Sequence, residues 1–217
     1  MMRQFLTAAL VLTAPMAAHS GEILDRLAAT VNGHAVLQSD VDEELRYECF
    51  AAKRPLSQIT AEDRQAALNR LIDQELLSQQ MNSRDFTPTK PEEVEKALHS
   101  FQASANEGAE WAAALASYGI SESTIRSHVE TELNQLRLID LRLRPSIQID
   151  SDSITTYYQK ELLPKLSPGP HSSLQDSTPG IRELLTQQKM NESLESWLEA
   201  LRSQAQIRRF DNAEGTR

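Results

Sequence analysis

The hydrophobic pattern of the chain changes period twice. Leu27, Ala29 and Val31 alternate with Ala28 and Thr30, which predicts a strand with side chains on two faces. Asn32-Gly33 follows, and a type I′ turn needs positive φ at both central residues. His34–Gln38 then predicts the returning strand of a hairpin, with His34 exposed just after the turn. From Ser39 onward the period becomes helical. Ser39 is the expected N-cap and Asp42 its capping-box partner, opening a helix to about Ala52 with Val41, Leu45 and Cys49 on its apolar face. Thr60 and Asp63 form a second capping box for a helix to about Ser83. Its stripe of Leu68, Leu71, Ile72, Leu76 and Gln79, widened by Leu77 and Met81, is broad enough to meet two neighbours.

Pro91, with Glu92 and Glu93, opens a third helix carrying Val94, Ala97, Leu98, Phe101 and Ala105. Trp111, Leu115 and Tyr118 recur at i, i+4 and i+7 in a short helix that Gly119 ends. Ser121 caps the next, whose stripe reads Ile125, Val129, Leu133, Leu136, Ile139 and Leu143 up to Pro145. Asp150 or Ser151 caps a helix with Ile154, Tyr157, Tyr158 and Leu162. Residues 164–180 hold Pro164, Pro168, Gly169, Pro170, Pro179 and Gly180 and predict a linker. A long helix follows, marked by Ile181, Leu184, Leu194, Trp197 and Leu201. Ala205–Phe210 then alternates. It is the one strand candidate far from the hairpin, and an isolated hairpin is marginal in water, so the two are expected to pair. The fold class is therefore mostly α, with a small sheet joining the chain ends. Residues 211–217 read as a frayed tail.

The first 20 residues stand apart. Arg3 is followed by an uncharged apolar run, Phe5–Met16, and Ala18-His19-Ser20 has small residues where a signal peptidase cuts. Residues 1–20 read as an export signal, with an uncleaved anchor as the rival, and no later stretch is long and apolar enough to span a bilayer. The mature chain is expected to be soluble. With one cysteine it has no internal disulfide, and Cys49 reads as a small core residue.

The net charge is −9 and the pI about 5.1, which disfavours nucleic acid and anionic membrane surfaces as partners. His34, His99, His128 and His171 lack metal-ligand spacing, and no nucleophile motif or phosphate-binding glycine loop occurs, so no catalytic, cofactor or metal residue is assigned. The acidic runs Asp40–Glu44 and Glu92–Glu95 read as helix N-terminal charges and solvated faces. Trp111, Leu115, Tyr118 and Tyr157 are the candidate client-binding residues. Helical apolar stripes usually face a core, so the favoured reading of Trp111 and Tyr118 is core closure, with a client groove second.

Taken together, the hairpin running into Val36-Leu-Gln-Ser-Asp-Val-Asp42, the Leu68–Leu77 helix, the Pro91–Leu98 helix, the Tyr118–Arg126 junction, the Ile147–Tyr158 segment and the Leu184–Arg202 helix with Ile207 resemble the N-terminal chaperone module of the periplasmic chaperone SurA and its relatives. In that family, parvulin-type prolyl isomerase domains lie between the Tyr-Tyr helix and the C-terminal helix. Residues 164–180 are too few to hold one. The resemblance thus implies a non-enzymatic periplasmic module: residues 21–163 as the helical body, 164–180 as a linker, and 181–210 folding back. The implied function is an ATP-independent holdase for unfolded outer-membrane β-barrel proteins. An adaptor for one envelope partner is the second reading, and a prolyl isomerase the third. A homodimer could cover exposed apolar surface.

Overall fold

A three-stranded antiparallel sheet, ordered β2-β1-β3, ties the two ends of the folded chain together. The computed structural model describes residues 25–82, 84–105, 110–165 and 173–210; the expected signal at 1–20 and tail at 211–217 lie outside them. Strand β1 (Leu27–Val31) pairs with β2 (His34–Leu37) through a turn in which Asn32 and Gly33 have φ of 52° and 88°, as a type I′ turn requires. On its other edge β1 pairs with β3 (Ile207–Arg209), with Val31 opposite Ile207. The expected long-range pairing is present, over a shorter strand than the alternation predicted.

Asn32 locks this corner. It has a backbone of left-handed sign, which Asn tolerates better than most residues. Its N–H donates to Gln206 O at 3.0 Å, its Oδ1 accepts from Gln206 N–H at 2.8 Å, and its Nδ2 donates to Gln79 Oε1 at 2.7 Å. Gln79 in turn donates to Val31 O at 3.3 Å. One side chain therefore joins the turn, the last strand and the helix beneath them.

Seven α-helices complete the described residues. Helix α1 (Gln38–Ala51) begins earlier than the sequence predicted. Asp40, not Asp42, receives the first free N–H, from Leu37 at 2.8 Å, and Ser39 bonds Asp25 through its hydroxyl and N–H instead of capping. Helix α2 (Ala61–Met81) has the expected Thr60–Asp63 capping box. Its wide stripe does meet two neighbours. Ile72 and Leu76 pack under the sheet with Val31 and Val36, while Ala67 packs with Val41 and Leu45 of α1. Cys49 is fully buried, as its place on the α1 stripe predicted.

Helices α3 (Pro91–Ala105), α4 (Trp111–Tyr118) and α5 (Glu122–Leu143) build a second core with α1, centred on Phe50, Leu98, Leu115 and Ile125. Gly119 ends α4 at φ 65°, and Ser121 caps α5 by accepting Thr124 N–H at 3.1 Å. Helix α6 (Ser151–Tyr157), capped by Asp150, continues through a wide π-helical turn and a 3-10 turn to Lys165.

Helix α7 (Leu174–Gln204) corrects the expected linker boundary. Ser173 and Asp176 form a capping box that starts the helix before Pro179 and Gly180, which lie inside it. An interior proline forfeits one hydrogen bond, and this one falls within the second turn, where Thr178 Oγ1 donates to Leu174 O at 2.7 Å. Between Lys165 and Ser173 lie residues 166–172, far fewer than a domain needs.

Candidate functional site

The long helix α7 is fixed at its two ends and crosses α5 between them. At its N-terminal end it packs on α6, where Ile154 and Ile181 are both buried. At the C-terminal end Arg202 grips Asp73 of α2 with two bonds, Nε to Oδ1 at 2.7 Å and Nη2 to Oδ2 at 2.5 Å, and Leu201 joins the core under the sheet. The middle of α7 faces the C-terminal half of α5 across an open groove of about 660 Å³.

The groove floor follows from helix geometry. Glu183, Thr186, Gln187, Met190, Asn191 and Leu194 recur at helical spacing and line one wall. From α5 come Leu136, Ile139 and Leu141, with Arg137, Asp140 and Arg144 at the rim. Leu136 and Leu141 are 55% and 50% exposed, high values for leucines on a packed helix. The rim charges are already paired: Arg137 donates to Glu93 at 2.8 Å and to Pro88 O at 3.2 Å, and Arg144 pairs with Asp140 one turn away. The α5 wall therefore presents its leucines, and the α7 wall sets Met190 and Leu194 among the polar Glu183, Thr186, Gln187 and Asn191.

Leu136 departs from its expected place on the buried stripe of α5. The structure buries Ile125, Val129, Leu138 and Leu143 there. Residues 136, 138, 139, 141 and 143 are all aliphatic, too many for one face of a helix, so some must point away from the core. That local excess is the readable signal for the groove, and a stripe that takes in Leu136 while passing over Leu138 and Leu141 hides it.

The sequence candidates land elsewhere. Trp111, Leu115 and Tyr118 converge on Phe50, whose ring meets those of Trp111 and Tyr118 edge-on at 5.6 and 5.5 Å. Phe101 lies 6.3 Å from Trp111. Leu115 is buried and the two aromatics are half-buried in this second core. Tyr157 is half-buried on α6, outside that cluster.

A second feature escaped the sequence reading. Glu44, part of an acidic run expected to be solvated, is only 4% exposed. It sits where α1, α2 and α5 meet, 3.7 Å from Arg70 Nε and 3.6 Å from His128 Nδ1. Arg70 also pairs with Glu48, one turn further along α1. Burial, and then the neighbouring Glu48 carboxylate, push the Glu44 carboxyl up to about 7 against the pull of Arg70. Burial also lowers the His128 imidazole, with Glu43 opposing, and His128 stacks flat on Tyr47 at 3.9 Å. The Tyr47 phenol is raised to about 12 by burial and by Glu132 and Glu44.

A mostly helical body is thus clasped by a three-stranded sheet, with an open groove between α5 and α7. The family model of the SurA-like N-terminal domain matches residues 5–139, and the chain belongs to that family. A solved chain from work on the virulence factor PEB4 and the periplasmic protein Cj1289, described as two structurally related SurA-like chaperones of Campylobacter jejuni, shares the fold at a TM-score of 0.54 and 12% identity. The match covers 86% of this chain and 99% of that one. No curated protein matches the sequence. Among the described residues no helix is long and apolar enough to cross a membrane.

Proposed function

We propose that this protein is an ATP-independent periplasmic holdase, without enzymatic activity, that shelters unfolded outer-membrane β-barrel chains in the groove between α5 and α7. The observation that carries this reading is the pair of exposed leucines, Leu136 and Leu141, in a groove whose rim charges are internally paired. Unfolded barrel strands present an apolar side chain at every second position. A shallow groove accepts such side chains a few at a time, and several weak contacts along one client allow both capture and release without nucleotide. The acidic surface keeps the loaded complex apart from its like-charged neighbours. Family membership supports the chaperone class, and the expected export signal supports the periplasm.

The test is light scattering of a denatured outer-membrane barrel protein diluted with and without this protein. Suppression of aggregation is expected, and Leu136→Glu with Leu141→Glu should abolish it. Because both side chains are half-exposed, the double variant should change folding stability by about 1 kcal/mol or less. No suppression at several-fold excess refutes the reading. A single stoichiometric complex with one envelope protein, with no effect on scattering, would establish an adaptor instead.

A further inference from the structure

The sheet has two outer strands, and only one of them leaves its edge open. Antiparallel bonding alternates, so every second residue of an outer strand turns its N–H and C=O away from its neighbour. On β3 the bonds Asn32 N–H to Gln206 O and Phe210 N–H to Ala28 O, both 3.0 Å, set the phase. Arg208 therefore bonds toward β1, while Ile207 and Arg209 turn both backbone groups outward. Among the described residues no strand lies beyond them, and β3 ends the sheet. On β2 the same phase leaves Ala35 and Leu37 pointing outward. Leu37 N–H already donates to Asp40 at 2.8 Å, and α1 starts at Gln38, so that edge closes after one residue.

The side chains along the β3 edge select its occupant. Arg208 and Arg209 are exposed, and neither forms an ion pair among the described residues. They are a basic pair on a chain of net charge −9. Ile207, opposite Val31, is half-buried against the core beneath the sheet, and Phe210, just past the strand, is 43% exposed. A second copy paired edge to edge would set arginine against arginine, and like charges directly opposite are destabilising. An extended chain with acidic side chains fits instead. An apolar side chain opposite Ile207 would extend the core under the sheet, and an acidic one opposite Arg208 would lie on the outer face. Arg209 shares the face of Ile207, and its aliphatic stem can cover the next apolar side chain. The matching sequence therefore alternates apolar and acidic residues.

We propose that the outer edge of β3 is a strand-addition site that takes an extended segment alternating apolar and acidic residues, bonded through the outward groups of Ile207 and Arg209. The class of occupant rests on the holdase reading, because unfolded barrel strands alternate apolar and polar side chains. The site differs in kind from the α5–α7 groove. It reads backbone and charge, whereas the groove reads apolar side chains. Two such sites on one body would hold one client at two points, which raises avidity without a tighter contact at either.

The test titrates the protein with a short capped peptide alternating valine and glutamate, followed through the amide signals of Ile207 and Arg209 by NMR. Both should shift most and exchange more slowly once the peptide is bound. N-methylating the valines, whose N–H groups would face β3, should abolish binding, while N-methylating the glutamates should spare it. Arg208→Glu with Arg209→Glu should weaken the peptide by about tenfold or more and turn the preference toward a valine–lysine peptide. Arg209→Pro, which removes an outward N–H and no ladder bond, should also abolish binding. No shift at millimolar peptide, an equal loss from both N-methylated forms, or no preference between glutamate and lysine peptides overturns the proposal. Shifts centred on Leu136 and Leu141 would place the peptide in the groove and also overturn it. So would protection of the two amides before peptide is added: its loss on dilution would assign the edge to a second copy, and its loss on deleting residues 211–217 would assign it to the tail. Peptide binding at β3 without suppression of aggregation would sink the holdase reading and leave the edge site standing. Suppression without peptide binding would do the reverse.

Discussion

Replacing Asn32 tests the corner where the two ends of the chain are joined. The residue contributes two separable things. One is its side-chain bonding, to Gln206 N–H and to Gln79. The other is its tolerance of φ 52°. Asn32→Gly keeps the backbone conformation and deletes the bonds. At about 0.5–1.5 kcal/mol net for each bond, reduced because both are exposed, the loss is about 1–2 kcal/mol. Asn32→Ala deletes the same bonds and also forces a Cβ into a left-handed backbone, which adds about 1–2 kcal/mol. The expected totals are thus about 1–2 kcal/mol for glycine and about 2–4 kcal/mol for alanine. In a domain of this size 1 kcal/mol moves the melting temperature by about 2–4 °C, so calorimetry separates the two variants. Urea titration should give the same order. If alanine is no worse than glycine, the left-handed strain assigned to Asn32 is wrong. If neither variant differs from the unaltered protein, the corner does not hold the ends together.

Three further outcomes follow from the geometry. Gly33→Val should destabilise by about 1–2 kcal/mol through backbone strain alone, because a Cβ there meets nothing within 4 Å; an unchanged melting temperature would remove the type I′ assignment. Arg202→Ala should raise amide exchange in the last turns of α7 and in β3 while sparing α3 and α4, since the bond it loses anchors only that end. For Glu44 the native pKa lies above the ordinary 4.5, so the stability it confers is complete below pH 4.5 and is lost as pH rises through about 7. Glu44→Gln should therefore gain on the unaltered protein in thermal melts only at the alkaline end, and an equal gain at pH 4 would contradict the assignment.

Some elements were legible because local chemistry decides them. The Asn32-Gly33 turn, the Thr60–Asp63 box and the Gly119–Ser121 junction need only neighbouring residues. The pairing of β3 with β1 was also readable, because a switch of period near Ile207 left one partner for an incomplete hairpin. Other features depend on residues that sequence spacing cannot place. Ser39 has the chemistry of an N-cap, but Asp25, across the hairpin, holds its hydroxyl and N–H. Glu44 and Glu43 look alike in an acidic run, and only the approach of α2 and α5 buries one of them. Trp111, Leu115 and Tyr118 share one helix face at i, i+4 and i+7, which suits a groove and a core alike, and here they pack against Phe50. The groove uses plain leucines, whose exposure depends on how far α7 stands from α5.

The meeting of Val31 with Ile207 also sets an order on folding. The core beneath the sheet needs Leu201, Ala205 and Ile207 beside Ala29, Val31 and Ile72. Its first members are among the earliest residues of the folded part, and its last lie at the far end. Such high sequence separation makes closure slow, because loop entropy is lost before the contact forms. A chain delivered N-terminus first therefore carries an open hairpin edge until delivery is nearly complete. The body cannot reach its final stability while any of the last helix is still missing, so this architecture postpones folding until the chain has arrived whole.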